Sequence, residues 1–113
     1  MSEKDKANLF AILDSCNKIK TFTEEVWDAD TFFEDEKTFD AVLMNFVIIG
    51  EAVARLSTNL KNENTHIPWG DVQGFRNIVA HDYFGVDAEE VWQIIKNSLS
   101  ELELQVKKIL ESQ

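Results

Sequence analysis

Apolar positions recur at helical spacing through most of the chain, and they divide it into segments. Leu9, Phe10, Ile12, Leu13, Cys16 and Ile19 fall at i, i+3, i+4 and i+7. Ser2 with Asp5 three positions later suits a capped start, so the pattern predicts a helix from about Glu3 to Phe22. Thr23, followed by Glu24 and Glu25, suits a new start. The acidic stretch from Asp28 to Glu36 reads as a solvated connector, with a short helix or turn pinned by Trp27, Phe32 and Phe33.

Phe39, Val42, Leu43, Phe46, Ile49, Val53 and Leu56 predict a long central helix from about Lys37 to Leu60. Val47 and Ile48 widen its apolar arc, which implies packing on more than one side. Gly50 interrupts that arc at a cost of about 1 kcal/mol against alanine, so another backbone or ring is expected to approach it closely. Glu51 and Arg55 stand i, i+4 in the favourable order for a surface ion pair. Lys61 to Pro68 reads as a polar loop, with Pro68, Trp69 and Gly70 opening the next segment. That segment is expected to be helical from about Asp71 to Tyr83, and Gly85 suits a left-handed C-terminal stop. Asp87 with Glu90 then resembles a second capped start, and Val91, Trp92, Ile95, Leu99, Leu102, Val106, Ile109 and Leu110 carry a last helix. The pattern therefore predicts an all-α fold, an antiparallel bundle of about four main helices forming a single domain over residues 1–113.

Composition agrees with this reading and narrows the partners. Four glycines and one proline are few punctuators for a chain of 113 residues, which favours long helices over many strands and turns. A single cysteine excludes an intrachain disulfide and a cysteine-based zinc site within one chain. The charged N-terminal stretch lacks a secretory leader's apolar run, and nothing is apolar enough to span a membrane, so the expected setting is cytoplasmic. A formal charge of −10 disfavours general attraction to nucleic acid, so any such role must rest on a local positive spot.

One stretch concentrates side chains suited to chemistry: Arg76-Asn77-Ile78-Val79-Ala80-His81-Asp82-Tyr83. On a helical wheel Arg76 and Tyr83 fall near one line and Asn77 and His81 near the next, with Ala80 between them. Phe75, Ile78 and Val79 face the other way. Asp82 falls on that apolar side, without an evident reason. Imidazole can act as acid or base near neutrality, and arginine presents a planar fork of donors suited to phosphate oxygens. Asn77 could orient a group, and Tyr83 adds a hydroxyl that can be modified. Taken alone, a helical histidine is more often structural than catalytic; the arginine on the same side raises its interest.

Other candidates are weaker. Glu63-Asn64-Thr65-His66 has the Glu-x-x-His spacing of di-iron bundles, but in one copy and in a loop, so His66 reads as an exposed loop histidine. Gly70 and Gly74 make no phosphate-cradling loop, and Cys16 reads as core. The Arg76, Asn77, His81 and Tyr83 set needs no metal or other cofactor to cleave RNA, because RNA carries its own 2′-hydroxyl nucleophile. One histidine cannot comfortably serve as both acid and base. A two-fold dimer would bring a second Arg/His pair to one cleft.

At these residues the sequence resembles the HEPN superfamily, specifically its HepT-like toxin branch. The branch motif Arg-x4-His-x-Tyr stands here as Arg76, His81 and Tyr83, with the polar Asn77 after the arginine. Ile48-Ile49-Gly50-Glu51-Ala52, Ile67-Pro68-Trp69, and His81-Asp82-Tyr83-Phe84-Gly85-Val86-Asp87 leading to Val91-Trp92 extend the likeness over most of the chain. The resemblance implies a HEPN bundle, a symmetric homodimer with its cleft at the motif helices, and metal-independent endoribonuclease activity with Arg76 and His81 catalytic. It further implies a toxin–antitoxin setting, in which a minimal nucleotidyltransferase antitoxin silences the toxin by transferring AMP to Tyr83. The alternative expectation is a non-catalytic module that binds a nucleotide or partner with the same residues.

Overall fold

The computed structural model describes residues 1–77 and 87–112, and the described residues contain helices and no strand. Helix α1 spans Glu3–Phe22, the range expected from its apolar rhythm. Ser2 caps it, its hydroxyl accepting the Asp5 amide at 3.0 Å. The Asp5 carboxylate does not complete a reciprocal box. It turns instead to Ser57, 52 residues away, accepting the backbone N–H at 2.8 Å and the hydroxyl at 2.6 Å. Thr23 ends α1 and starts nothing: its hydroxyl donates to the Ile19 carbonyl at 2.8 Å, satisfying an acceptor of the last turn.

A short helix α2, Ala29–Glu34, follows, capped by Asp28, whose carboxylate accepts the Thr31 amide. Only one of the three expected aromatic pins is buried. Phe32 is fully enclosed, whereas Trp27 is 84% and Phe33 57% exposed. Both Phe32 and Phe33 meet the Phe39 ring edge-on, at 5.1 and 5.5 Å, but Phe32 also lies 5.6 Å from Trp92, and this second ring encloses it.

Helix α3, Glu36–Arg55, is the central element, and it packs against α1, α2 and the segments after residue 68. It stops short of the expected Leu60. Leu56 adopts an extended conformation and Ser57 caps a separate helix α4, Thr58–Glu63, its hydroxyl accepting the Leu60 amide. The break lets Leu56 and Leu60 both bury while Ser57 meets Asp5. Part of the expected polar loop is thus helical. Helix α5, Trp69–Gln73, leads into a 3₁₀ turn, Gly74–Arg76. The motif segment therefore opens on a tightened turn and not on the uninterrupted helix its spacing suggested, and Gly85 as a helix stop lies outside the described residues.

Asp87 caps α6, Ala88–Gln93, accepting the Glu89 and Glu90 amides. A π turn, Ile94–Ser98, interrupts the last helix before α7, Leu99–Glu111. The inward side chains nevertheless keep their expected order, from Val91 and Trp92 to Val106 and Ile109. One cluster of buried side chains runs from Leu9 through α3 to Ile109 and includes Cys16. Phe10, by contrast, is exposed despite its place in the α1 pattern, as are Met44 and Ile48 on the outer side of α3. Among the described residues no helix is long and apolar enough to cross a membrane.

Candidate functional site

The site begins where α5 meets α3. Trp69 anchors the segment: its ring is buried and its indole N–H donates to the Asn64 carbonyl at 3.0 Å. Pro68 precedes it as the N-cap of α5, its carbonyl accepting the Val72 amide at 3.1 Å. One turn later Phe75 lays its ring against Phe46 of α3, centroids 5.0 Å apart and nearly perpendicular. Phe75 thus takes the core-facing place its position on the wheel indicated.

The next residue, Arg76, sits directly over Gly50. A methyl group built on Gly50 would overlap the Arg76 backbone nitrogen, and it would lie 2.8 Å from the Gln73 carbonyl oxygen and 3.0 Å from the Arg76 Cβ. The close approach expected from a glycine inside an apolar helix is made by this turn. Gly50 is needed for space: no glycine with a positive φ occurs among the described residues. Arg76 is half-buried, and Asn77 after it is exposed. The ion pairs among the described residues join Lys18 to Asp14, and Lys20 and Lys107 to Glu103, so none of them engages Arg76. No carboxylate among the described residues is ion-paired with its guanidinium.

Glu51, half-buried, and Arg55, exposed, do not form their expected ion pair. His81, Tyr83 and Asp82 lie outside the described residues. What the structure does place is the two flanks of the stretch that carries them. The N-terminal flank rests on α3 at Phe46 and Gly50, and the C-terminal flank is tied to α3 at Phe39, through Trp92 on Phe32. Sequence reasoning assigned Trp69 and Phe75 no part in holding Arg76. The signal available for them was Ile67-Pro68-Trp69 standing shortly ahead of Phe75-Arg76-Asn77.

A cleft of about 420 Å³ adjoins the same turn and is floored by Val72, Phe75, Ile94 and Leu102. Asp71 and Glu101 stand among its lining residues, and two carboxylates repel phosphate, so the cleft does not suit a nucleic-acid backbone. His66 lies at its edge, exposed in the loop as expected, with Nε2 3.0 Å from the Gln105 Oε1. Cys16 has no part in the site. Burial pushes its thiol up to about 12, with Glu103 adding to the effect, so it is protonated at neutral pH.

Comparison with known proteins agrees with the motif. The ribonuclease HepT-like family matches residues 12–109, a span that includes Gly50, Arg76, Asn77, His81 and Tyr83. The protein named "Putative RNase MJ1380", of Methanocaldococcus jannaschii, is 33% identical over 108 residues, which cover 95% of this chain and 98% of that protein. "Probable ribonuclease HepT" of Thermococcus cleftensis is 32% identical over 109 residues, covering 96% of this chain and 98% of its own. No solved structure matches the chain. With the motif, the helical fold and a match over nearly its whole length, the chain belongs to the ribonuclease HepT-like family of the HEPN superfamily.

Proposed function

We propose that the chain is a metal-independent endoribonuclease toxin that works as a homodimer, with Arg76 and His81 catalytic and Asn77 and Tyr83 supporting. The observation that carries this reading is Arg76, the motif arginine of a ribonuclease family, seated by its backbone on α3 and left without a described counter-charge. In the reaction the 2′-oxygen of RNA attacks the adjacent phosphorus, the bond to the 5′-oxygen breaks, and a proton passes from the nucleophile to a base while another reaches the leaving oxygen. His81 of one protomer takes one of these roles and His81 of its partner the other, while Arg76 stabilises charge building on the phosphoryl oxygens. Exposed Met44 and Ile48, one helical turn apart on α3, support a second copy covering this helix.

The proposed partner that silences the enzyme is a minimal nucleotidyltransferase antitoxin. It would join the Tyr83 oxygen to the α-phosphorus of ATP with release of pyrophosphate. The adduct would place an anion beside Arg76 and His81 and compete with the RNA phosphate. A net charge of −10 favours a second reading, a module that binds a nucleotide or a protein partner without cutting. The two are separated by incubating the protein with RNA in excess chelator. The ribonuclease reading expects cleavage that disappears in Arg76→Ala and His81→Ala proteins; cleavage retained by His81→Ala would overturn it.

A further inference from the structure

We propose that Gly50 is a positioning residue for Arg76, so that the absence of a side chain on α3 sets where the catalytic guanidinium stands. This rests on the ribonuclease reading above. Gly50 is buried inside a 20-residue helix, more than one turn from its end, where alanine would be the better helix former. Its backbone is ordinary, without the positive φ that makes glycine irreplaceable in turns. What is unusual is the space above it. A Cβ at this position would meet the Arg76 nitrogen, the Gln73 carbonyl oxygen and the Arg76 Cβ, all within 3.0 Å. The first two are backbone atoms, so no side-chain rotation relieves the overlap, and the 3₁₀ turn itself must lift from α3. Gly70 and Gly74 provide the contrast, because a Cβ on either meets nothing within 4 Å.

Restoring ordinary van der Waals separation to a backbone atom requires a shift on the order of 1 Å, carried directly by the residue that bears the guanidinium. A misplacement of that size is enough to cost a reaction about 100-fold. The Phe46 and Phe75 rings, packed edge to face beside the contact, resist a compensating slide of the turn along α3. Gly50 therefore acts through Arg76 and not by touching RNA.

The test is a double-mutant cycle on RNA cleavage with Gly50→Ala, Arg76→Ala and the pair, and Gly70→Ala as control. Gly50→Ala is expected to lower kcat about 10- to 100-fold, Gly70→Ala to leave it unchanged, and the Gly50→Ala loss to vanish in the Arg76→Ala background. Amide chemical shifts add a readout that does not depend on cleavage. In Gly50→Ala those of residues 73–77 should move while those of α1 and α7 stay. Unchanged amide positions, or an equal loss with and without Arg76, would overturn the proposal, as would global unfolding of Gly50→Ala, which would make the glycine a requirement of the whole bundle. If the wild-type protein cuts no RNA, the ribonuclease reading fails by itself, and the amide shifts still decide whether Gly50 sets the position of Arg76.

Discussion

The Asp5 carboxylate holds Ser57 by both its backbone N–H and its hydroxyl, joining the start of α1 to the junction of α3 and α4. The two residues are 52 positions apart, and the clasp fixes α1 antiparallel to the helix that carries Gly50. Burial by itself would raise the Asp5 pKa, but the hydrogen bonds from the Ser57 side chain and backbone outweigh it and hold the carboxyl below its ordinary 3.8. A pKa lowered by folding contributes stability that is present above the unfolded value and is lost as pH falls through the folded one.

Asp5→Ala should therefore cost about 1–3 kcal/mol near neutrality, since it leaves the Ser57 donors without their charged acceptor. Urea unfolding of both proteins should show the gap narrowing as the pH is taken well below about 4, where the wild-type carboxylate is protonated. A constant gap from pH 7 to pH 2 would show that the charge plays no part.

Arg76→Ala should reduce RNA cleavage by about 100- to 1,000-fold, the range for removing one donor aimed at developing charge. Arg76→Lys should recover only part of the loss, because an ammonium keeps the charge but not the planar fork. Both proteins should melt within a few degrees of wild type, because the contact with α3 is made by the backbone and Cβ of residue 76. Full activity in Arg76→Lys would mean that charge alone suffices.

Met44→Lys with Ile48→Glu should abolish dimerisation without unfolding the protomer, since both side chains are exposed in the single chain, at 55% and 40%. Sedimentation at micromolar concentration is expected to give a dimer for wild type and a monomer for the double variant. The monomer should also lose cleavage. A wild-type monomer that cuts RNA would refute the two-protomer site.

Cys16 should resist thiol reagents in the native state. Its pKa of about 12 leaves almost no thiolate at pH 8, and the side chain is fully enclosed between helices. Labelling with a disulfide reagent should become rapid only above the unfolding concentration of denaturant. Fast native labelling would indicate that α1 opens locally.

Helix α1 and the inward side chains of α3 and the last helix were legible because burial of one helix face imposes a 3.6-residue period on the sequence itself. The interior glycine on α3 announced its close neighbour for a similar reason: a locally unfavourable residue implies a compensating contact. Local pattern failed where one residue type suits two roles or a distant residue settled the outcome. Thr23 looks like a helix start and serves as a stop, and α3 breaks at Leu56, where Ser57 meets an aspartate from the other end of α1. Trp27 and Phe33 carry the same apolar signal as Phe32, yet Phe33 meets Phe39 from the surface while Phe32 is enclosed between Phe39 and Trp92.

For the site the division follows the same physics. Which chemical groups are present and in what order, Arg76, Asn77, His81 and Tyr83, could be read along the chain, because side-chain chemistry and motif spacing are local properties. What seats the first of them emerges from the fold. The neighbour of Arg76 is Gly50, 26 positions earlier, and the order of residues along a chain does not say which distant backbone will close the gap a missing side chain leaves.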